Sequence, residues 1–198
     1  MEQKKTVKLG CVVMAAGNAR RFGANKLAAD WEGKPLIRRA LEAVPSELLH
    51  TVVVTQYPEI LDMAKEFSFA AIHNPHPDWG ISHTIALGLT ALRDCDAVMF
   101  QVSDQPLLRR ETVTALVNFY LAHPDRIVAL GHNGVRGNPC IFPARFFPEL
   151  MALKEDHGGN TVIRRHEEEL LLWDIGPRQL TDVDTPAALK ALKEEAGL

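Results

Sequence analysis

Cysteine is scarce in this chain, membrane-length apolar runs are missing, and neither sign of charge dominates. The three cysteines, Cys11, Cys95 and Cys140, are an odd number, far apart and set in apolar surroundings. That pattern favours core thiols over a disulfide framework or a metal cluster. The eight histidines show no metal-ligand spacing, and His73 and His76 are expected to line a loop. The apolar run from Leu9 is too short to cross a bilayer, and the opening Met-Glu-Gln-Lys-Lys has no signal-peptide form behind it. A cytoplasmic protein with no membrane partner is therefore expected. A net charge of −3 argues against a nucleic-acid partner, so any basic site must be local. No repeat, linker or low-complexity segment divides the chain. Its 198 residues suit one domain, 1–198, with a full core.

What is present is an alternation of short apolar runs with helical patterns. Leu9 to Ala16 reads as a buried strand, and Leu27 to Gly33 as a short extended or hairpin segment. Pro35 is expected as the first residue of a helix reaching about Val44. Strands follow at 51–55, 69–72, 97–102 and 126–130, with helices from Pro58 to about Phe67, up to Leu92 with Ser82 as its N-cap, and over 111–121. Asn133-Gly134 is a turn signal, and Gly137 to Pro143 reads as a turn into a strand. Short helices are expected at 146–153 and 161–166, a strand at 170–174, and a last helix from Pro186, capped by Asp184 or Thr185. Such alternation predicts an α/β fold, a mostly parallel sheet covered on both faces. Ligands bind at the carboxyl ends of strands in these sheets, and Gly17, Asn74 and Asp104 each fall just past one.

The stretch after the first strand carries the clearest chemistry. Gly17 and Gly23 let the backbone turn and approach a ligand, and Arg20, Arg21 and Lys26 put three cations into seven residues. A triphosphate is the obvious ligand, although the residues alone also allow a basic surface loop. The spacing is neither that of a Walker A loop nor that of a dinucleotide fingerprint. Asp104, at the exposed end of a buried strand and stiffened by Pro106, suits a hard divalent cation as well as a turn. Asp182 and Asp184 form a second acidic pair, which the last helix could also use as caps.

The loop Met14-Ala15-Ala16-Gly17-Asn18-Ala19-Arg20-Arg21-Phe22-Gly23-Ala24-Asn25-Lys26 resembles the signature of the MobA-like nucleotidyltransferases. Further segments agree in order. Asp104-Gln105-Pro106 is similar to the family's second motif, and Asp182-Val183-Asp184-Thr185-Pro186 to its motif near the end. Asn74 with Gly80, Ser82 and Thr84 resembles its loop into a nucleotide-binding helix, and Gly134 to Pro143 the segment that faces the acceptor in relatives. The resemblance implies a three-layer, Rossmann-like (GT-A-like) nucleotidyltransferase fold. Ala15, Ala16, Gly17, Arg20, Gly23, Asn74, Gly80, Ser82 and Thr84 would bind nucleotide. Arg21, Lys26 and Asp104 would be catalytic, Asp104 and Asp184 would hold Mg2+, and Asn138 and Asp182 would meet the acceptor. Asp156-His157-Gly158-Gly159-Asn160 stands where the family usually ends on an arginine; Arg164 or Arg165 is the expected substitute.

On that resemblance the implied reaction is transfer of a nucleotide from CTP or GTP to molybdopterin, and a molybdenum hydroxylase is a candidate recipient. Ala15-Ala16-Gly17 matches members that use CTP, because Ala16 Cβ would crowd a purine, whereas Asn18 to Arg21 resembles the guanylyl branch. CTP is the preferred reading. Another phosphorylated acceptor, or a carrier that binds molybdopterin without turnover, are the alternatives.

Overall fold

The computed structural model describes residues 7–18, 22, 23 and 25–197. Seven strands form one sheet: β1 (Leu9–Ala15), β4 (His50–Thr55), β5 (Ala70–His73), β6 (Ala97–Val102), β7 (Ile127–His132), β8 (Val135–Pro143) and β9 (Leu170–Asp174). Their spatial order is β5-β4-β1-β6-β8-β7-β9. A hairpin of β2 (Asp30–Trp31) and β3 (Lys34–Pro35) stands apart from it.

β1 pairs in parallel with β4 and β6, and β4 with β5. β8 lies antiparallel between β6 and β7, and β9 returns parallel to β7. The centre is apolar on both sides because helices cover both faces. Cys11 and Val13 pack towards α1 (Leu36–Glu42), α2 (Pro58–Glu66), α4 (Arg110–Ala122) and α7 (Pro186–Ala196). Val12, one residue out of phase, joins the opposite core with α3 (Ile81–Ala91), α5 (Phe147–Met151) and α6 (Gly159–Arg165). Among the described residues no helix is long and apolar enough to cross a membrane.

Three local expectations are corrected. Pro35 closes the small hairpin opposite Asp30 and caps α1, which starts at Leu36; its fixed φ of −59° serves the strand end as well as the helix entry. The N-cap of α3 is Gly80, and Ser82 lies inside the first turn, its N–H donating to the Glu155 carbonyl (3.1 Å). A loop from 73 residues further along thus supplies what a capping hydroxyl would have satisfied. The segment 137–143 is not a turn: β8 runs through it from Val135, with a cis peptide at Asn138-Pro139. Thr185, of the two expected caps, is the one used, its Oγ1 accepting from Ala188 N (3.1 Å).

All three cysteines are buried free thiols, and burial pushes each above its ordinary pKa. Iodoacetamide at neutral pH should therefore leave the native protein unlabelled and add three groups after denaturation, read by intact mass. Rapid native labelling would contradict the packing.

Candidate active site

The ends of β1, β5 and β6 share one rim, and a cleft of about 380 Å3 opens there. Ala16, Gly17, Lys26, Gly80, Thr84 and Asp104 all line it. The loop after β1 is fixed through its carbonyl groups. Ser103 Oγ donates to the Met14 carbonyl (2.8 Å), Thr55 Oγ1 to that of Ala15 (2.9 Å) and Gln56 Nε2 to that of Ala16 (2.9 Å). The Tyr57 hydroxyl donates to the carbonyl of Gly17 (3.0 Å). Four consecutive carbonyl oxygens, which would repel a phosphate, are thereby committed to donors from β4, the residue after β6 and the turn after β4. None of these donors was singled out from the sequence; only the strand order reveals that they flank the loop.

Gly17 lines the cleft, and among the described residues nothing lies within 4 Å of the place its Cβ would take. Gly23 has φ +76°, a backbone state that favours glycine, but it does not border the cleft. Ala15 is fully buried in the core, so its side chain cannot meet a ligand. Arg20 and Arg21 lie outside the described residues.

Lys26 opens a one-turn 3-10 helix, held by Asn25 Oδ1 accepting from Leu27 N and by the buried Leu27 side chain. Its Nζ donates to Asp104 Oδ2 (2.7 Å) and to Asp184 Oδ1 (3.2 Å). Burial alone would lower the lysine pKa, but the two carboxylates outweigh it and hold it above its ordinary value, so the ammonium stays charged. The other oxygen of Asp104, Oδ1, is buried and has no hydrogen-bond partner among the described residues. Val183 is fully buried, and its N–H donates to the Asp104 carbonyl (2.8 Å). That bond brings acids 80 residues apart in the chain to one lysine. Asp182, on the other side of Val183, accepts from Gln105 Nε2 (2.9 Å). Loss of water around its carboxylate, then the charge of Asp104, raises its pKa, although the residue as a whole stays exposed.

Asn74 is fully buried behind the cleft wall. It donates to Thr84 Oγ1 (3.2 Å) and accepts from His76 N (2.9 Å), so it shapes the wall without lining it. Gly80 is in the wall, at φ +85° and ψ −176°. Ser82 faces away, towards a surface hollow beside Trp79. Asn138 borders a second, smaller cavity with Arg136 and Asn160. Arg164 and Arg165 border neither cavity; both are exposed, and Arg165 pairs with Glu149 (3.6 Å). Asp156 reaches the first cleft, a position its loop sequence did not disclose.

A family model for the MobA-like NTP transferase domain matches residues 11–170. The chain is 27% identical over 193 residues to the purine catabolism protein PucB of Bacillus subtilis, covering 88% of this chain and 91% of that one. It is 28% identical over 141 residues to a probable molybdenum cofactor guanylyltransferase of the same organism, covering 70% and 69%. The fold superimposes on a nucleotidyl transferase from Methanothermobacter thermautotroptrophicus with a TM-score of 0.80 at 18% identity, covering 95% and 97%. Fold, cleft and relatives agree on the class: this is a nucleotidyltransferase. Within that class, the chain belongs to the MobA-like NTP transferase family.

Proposed function

We propose that this enzyme transfers CMP from CTP to the terminal phosphate of molybdopterin and releases pyrophosphate. The observation that carries the reading is the pair of Lys26 and Asp104 in the cleft wall, with Asp184 held on the same lysine. An acceptor phosphate oxygen forms the new bond to the α-phosphorus as the bond to the β-phosphate oxygen breaks. The nucleophile already bears charge, so no general base is needed, and alignment with charge neutralisation supplies the rate. Lys26 is placed to neutralise the departing pyrophosphate, and Arg21, from the same loop, is proposed to share that work. With the carbonyls of Ala16 and Gly17 tied to donors elsewhere, the N–H groups of this stretch are proposed to meet the phosphate oxygens. The molybdopterin acceptor is supported by the guanylyltransferase relative's name. A molybdenum hydroxylase is the proposed recipient of the product.

The acids fit a divalent cation, proposed to be Mg2+. Asp104 keeps a buried oxygen with no partner among the described residues, and Asp184 lies on the same lysine. Among the described residues no group of three or more His, Cys, Asp or Glu could hold a metal alone, which suits an ion that takes one or two carboxylates and completes its shell with phosphates. Such an ion would offset the charge developing on the α-phosphate.

CTP is preferred because Ala16, not glycine, forms the cleft wall. The guanylyltransferase names of several relatives favour GTP instead. Pyrophosphate release measured separately with CTP and GTP, in the presence of Mg2+ and molybdopterin, decides. Turnover with GTP alone would overturn the choice of base, and no turnover with either would overturn the acceptor.

Lys26→Ala should lower kcat/KM for the triphosphate by about ten- to a hundredfold, the range for one charge-assisted hydrogen bond of about 1.5–3 kcal/mol. Both kcat and KM should move, since the lysine meets phosphate before and during transfer. Unchanged steady-state constants would remove Lys26 from the site.

A further inference from the structure

The antiparallel course of β8 puts the beginning of that strand, not its end, at the rim. Phe100 lies opposite Cys140 and Ala97 opposite Pro143, so the chain climbs from Pro143 back through Cys140 and Asn138 towards the level of Asp104. Arg136 lies four residues before Cys140 on this strand. It borders a second cavity of about 150 Å3 that shares Met14, Ile81 and Val102 with the triphosphate cleft. The inner walls of this cavity, including Phe100 and Phe142, are apolar, and its polar groups are Arg136, Asn138 and Asn160.

Arg136 is half-buried, and its Nη1 donates to the Gly137 carbonyl and to Cys140 Sγ, both at 3.3 Å. Among the described residues its guanidinium pairs with no carboxylate; Arg93, Arg109, Arg164 and Arg178 make no ion pair either, but they are exposed, whereas Arg136 borders a cavity. Holding an unpaired guanidinium over an apolar slot is costly unless a ligand completes its hydrogen bonds. The slot is smaller than the roughly 300 Å3 at which whole-ligand pockets begin, so it has room for the head of a molecule whose other end lies in the first cleft.

We propose that this slot receives the pterin head of the acceptor, and that Arg136 selects it by donating to its oxo and ring-nitrogen edge. The amides of Asn138 and Asn160 can each donate and accept, which matches the mixed amino and oxo edge of a pterin. Arg136 thus takes the place for which Arg164 and Arg165 were the expected substitutes. This assignment rests on the molybdopterin reading above and adds to it the residue that recognises the head.

The test is steady-state kinetics of wild type, Arg136→Gln and Arg136→Lys, with molybdopterin and nucleotide varied in turn and melting curves confirming the fold. Arg136→Gln should raise the molybdopterin KM about ten- to a hundredfold and leave the triphosphate KM within about twofold, with Arg136→Lys in between. An unchanged molybdopterin KM, or equal rises for both substrates, would overturn the assignment. Where wild type fails to turn over with molybdopterin, the functional reading falls separately. Quenching of 6-hydroxymethylpterin fluorescence, which needs no turnover, then decides the slot. Binding weakened at least tenfold in Arg136→Gln upholds it, and no binding to wild type, or equal binding to both, refutes it.

Discussion

Asp104→Asn should abolish nucleotidyl transfer while the protein still folds. The substitution keeps the shape of the side chain and the backbone carbonyl that receives Val183 N–H. It removes the negative charge that meets Lys26 at 2.7 Å and that a divalent cation would require. An amide turned with its NH2 towards the lysine would set donor against donor. Turned the other way, it would bury that NH2 where Oδ1 already lacks a partner among the described residues. The expected fall in kcat is about three orders of magnitude, the upper scale for losing one preorganised electrostatic group at a reacting centre. Lys26 keeps Asp184, so the melting temperature should move by no more than about 2–4 °C, the equivalent of roughly 1 kcal/mol in a chain of this size. Activity within tenfold of wild type would end the catalytic role of Asp104.

Gly80→Ala should damage both stability and nucleotide binding, by a different route. The backbone at Gly80, φ +85° with ψ −176°, is a region that only glycine occupies freely. A Cβ there would also lie 2.3 Å from the carbonyl carbon and oxygen of Glu155 and 2.7 Å from the nitrogen of Asp156, all backbone atoms that cannot swing aside. Conformational strain of about 1–3 kcal/mol and the overlap together should cost on the order of 3–5 kcal/mol. At about 2–4 °C per kcal/mol the melting temperature should fall by roughly 10 °C. The contact that must yield includes the Ser82 N–H to Glu155 carbonyl bond, so the first turn of α3 would move away from the cleft and the triphosphate KM should rise. Gly17→Ala is the control: its Cβ meets nothing within 4 Å among the described residues and belongs to a residue that lines the cleft, so binding should suffer with the melting temperature intact. Equal melting temperatures for Gly80→Ala and wild type would show that the 80–155 contact does not form as described.

The sequence disclosed the strands and the acids better than their arrangement. β1, β4 and β6 were readable because a run buried on both faces has no polar phase, and Asp104 because a carboxylate directly follows such a run. The antiparallel entry of β8 was not readable: a half-buried run has the same pattern in either direction, and its partner lies some 40 residues away. Arg136 was hidden for the same reason, since nothing local separates a cavity arginine from a solvent-facing one. Ser82 was mistaken for a cap because hydroxyls at helix starts usually are, and the competing Glu155 carbonyl is a long-range contact. Asn74, expected at the nucleotide, is completely buried behind Thr84 and braces the wall, a placement set by a contact ten residues away.

The hairpin of β7 and β8 turns at Asn133 and Gly134, both at positive φ, and Val135 beyond them is one of the most open apolar residues described. A hairpin tip is the one place in a sheet where a chain can lengthen or shorten without shifting the register of the strands beneath it. On the proposed reading, that tip stands next to the pterin slot, while the triphosphate rests on the ends of strands locked into the interior. Evolution could therefore exchange acceptors by editing a few residues at the tip, leaving the nucleotide-handling half of the enzyme as it was inherited.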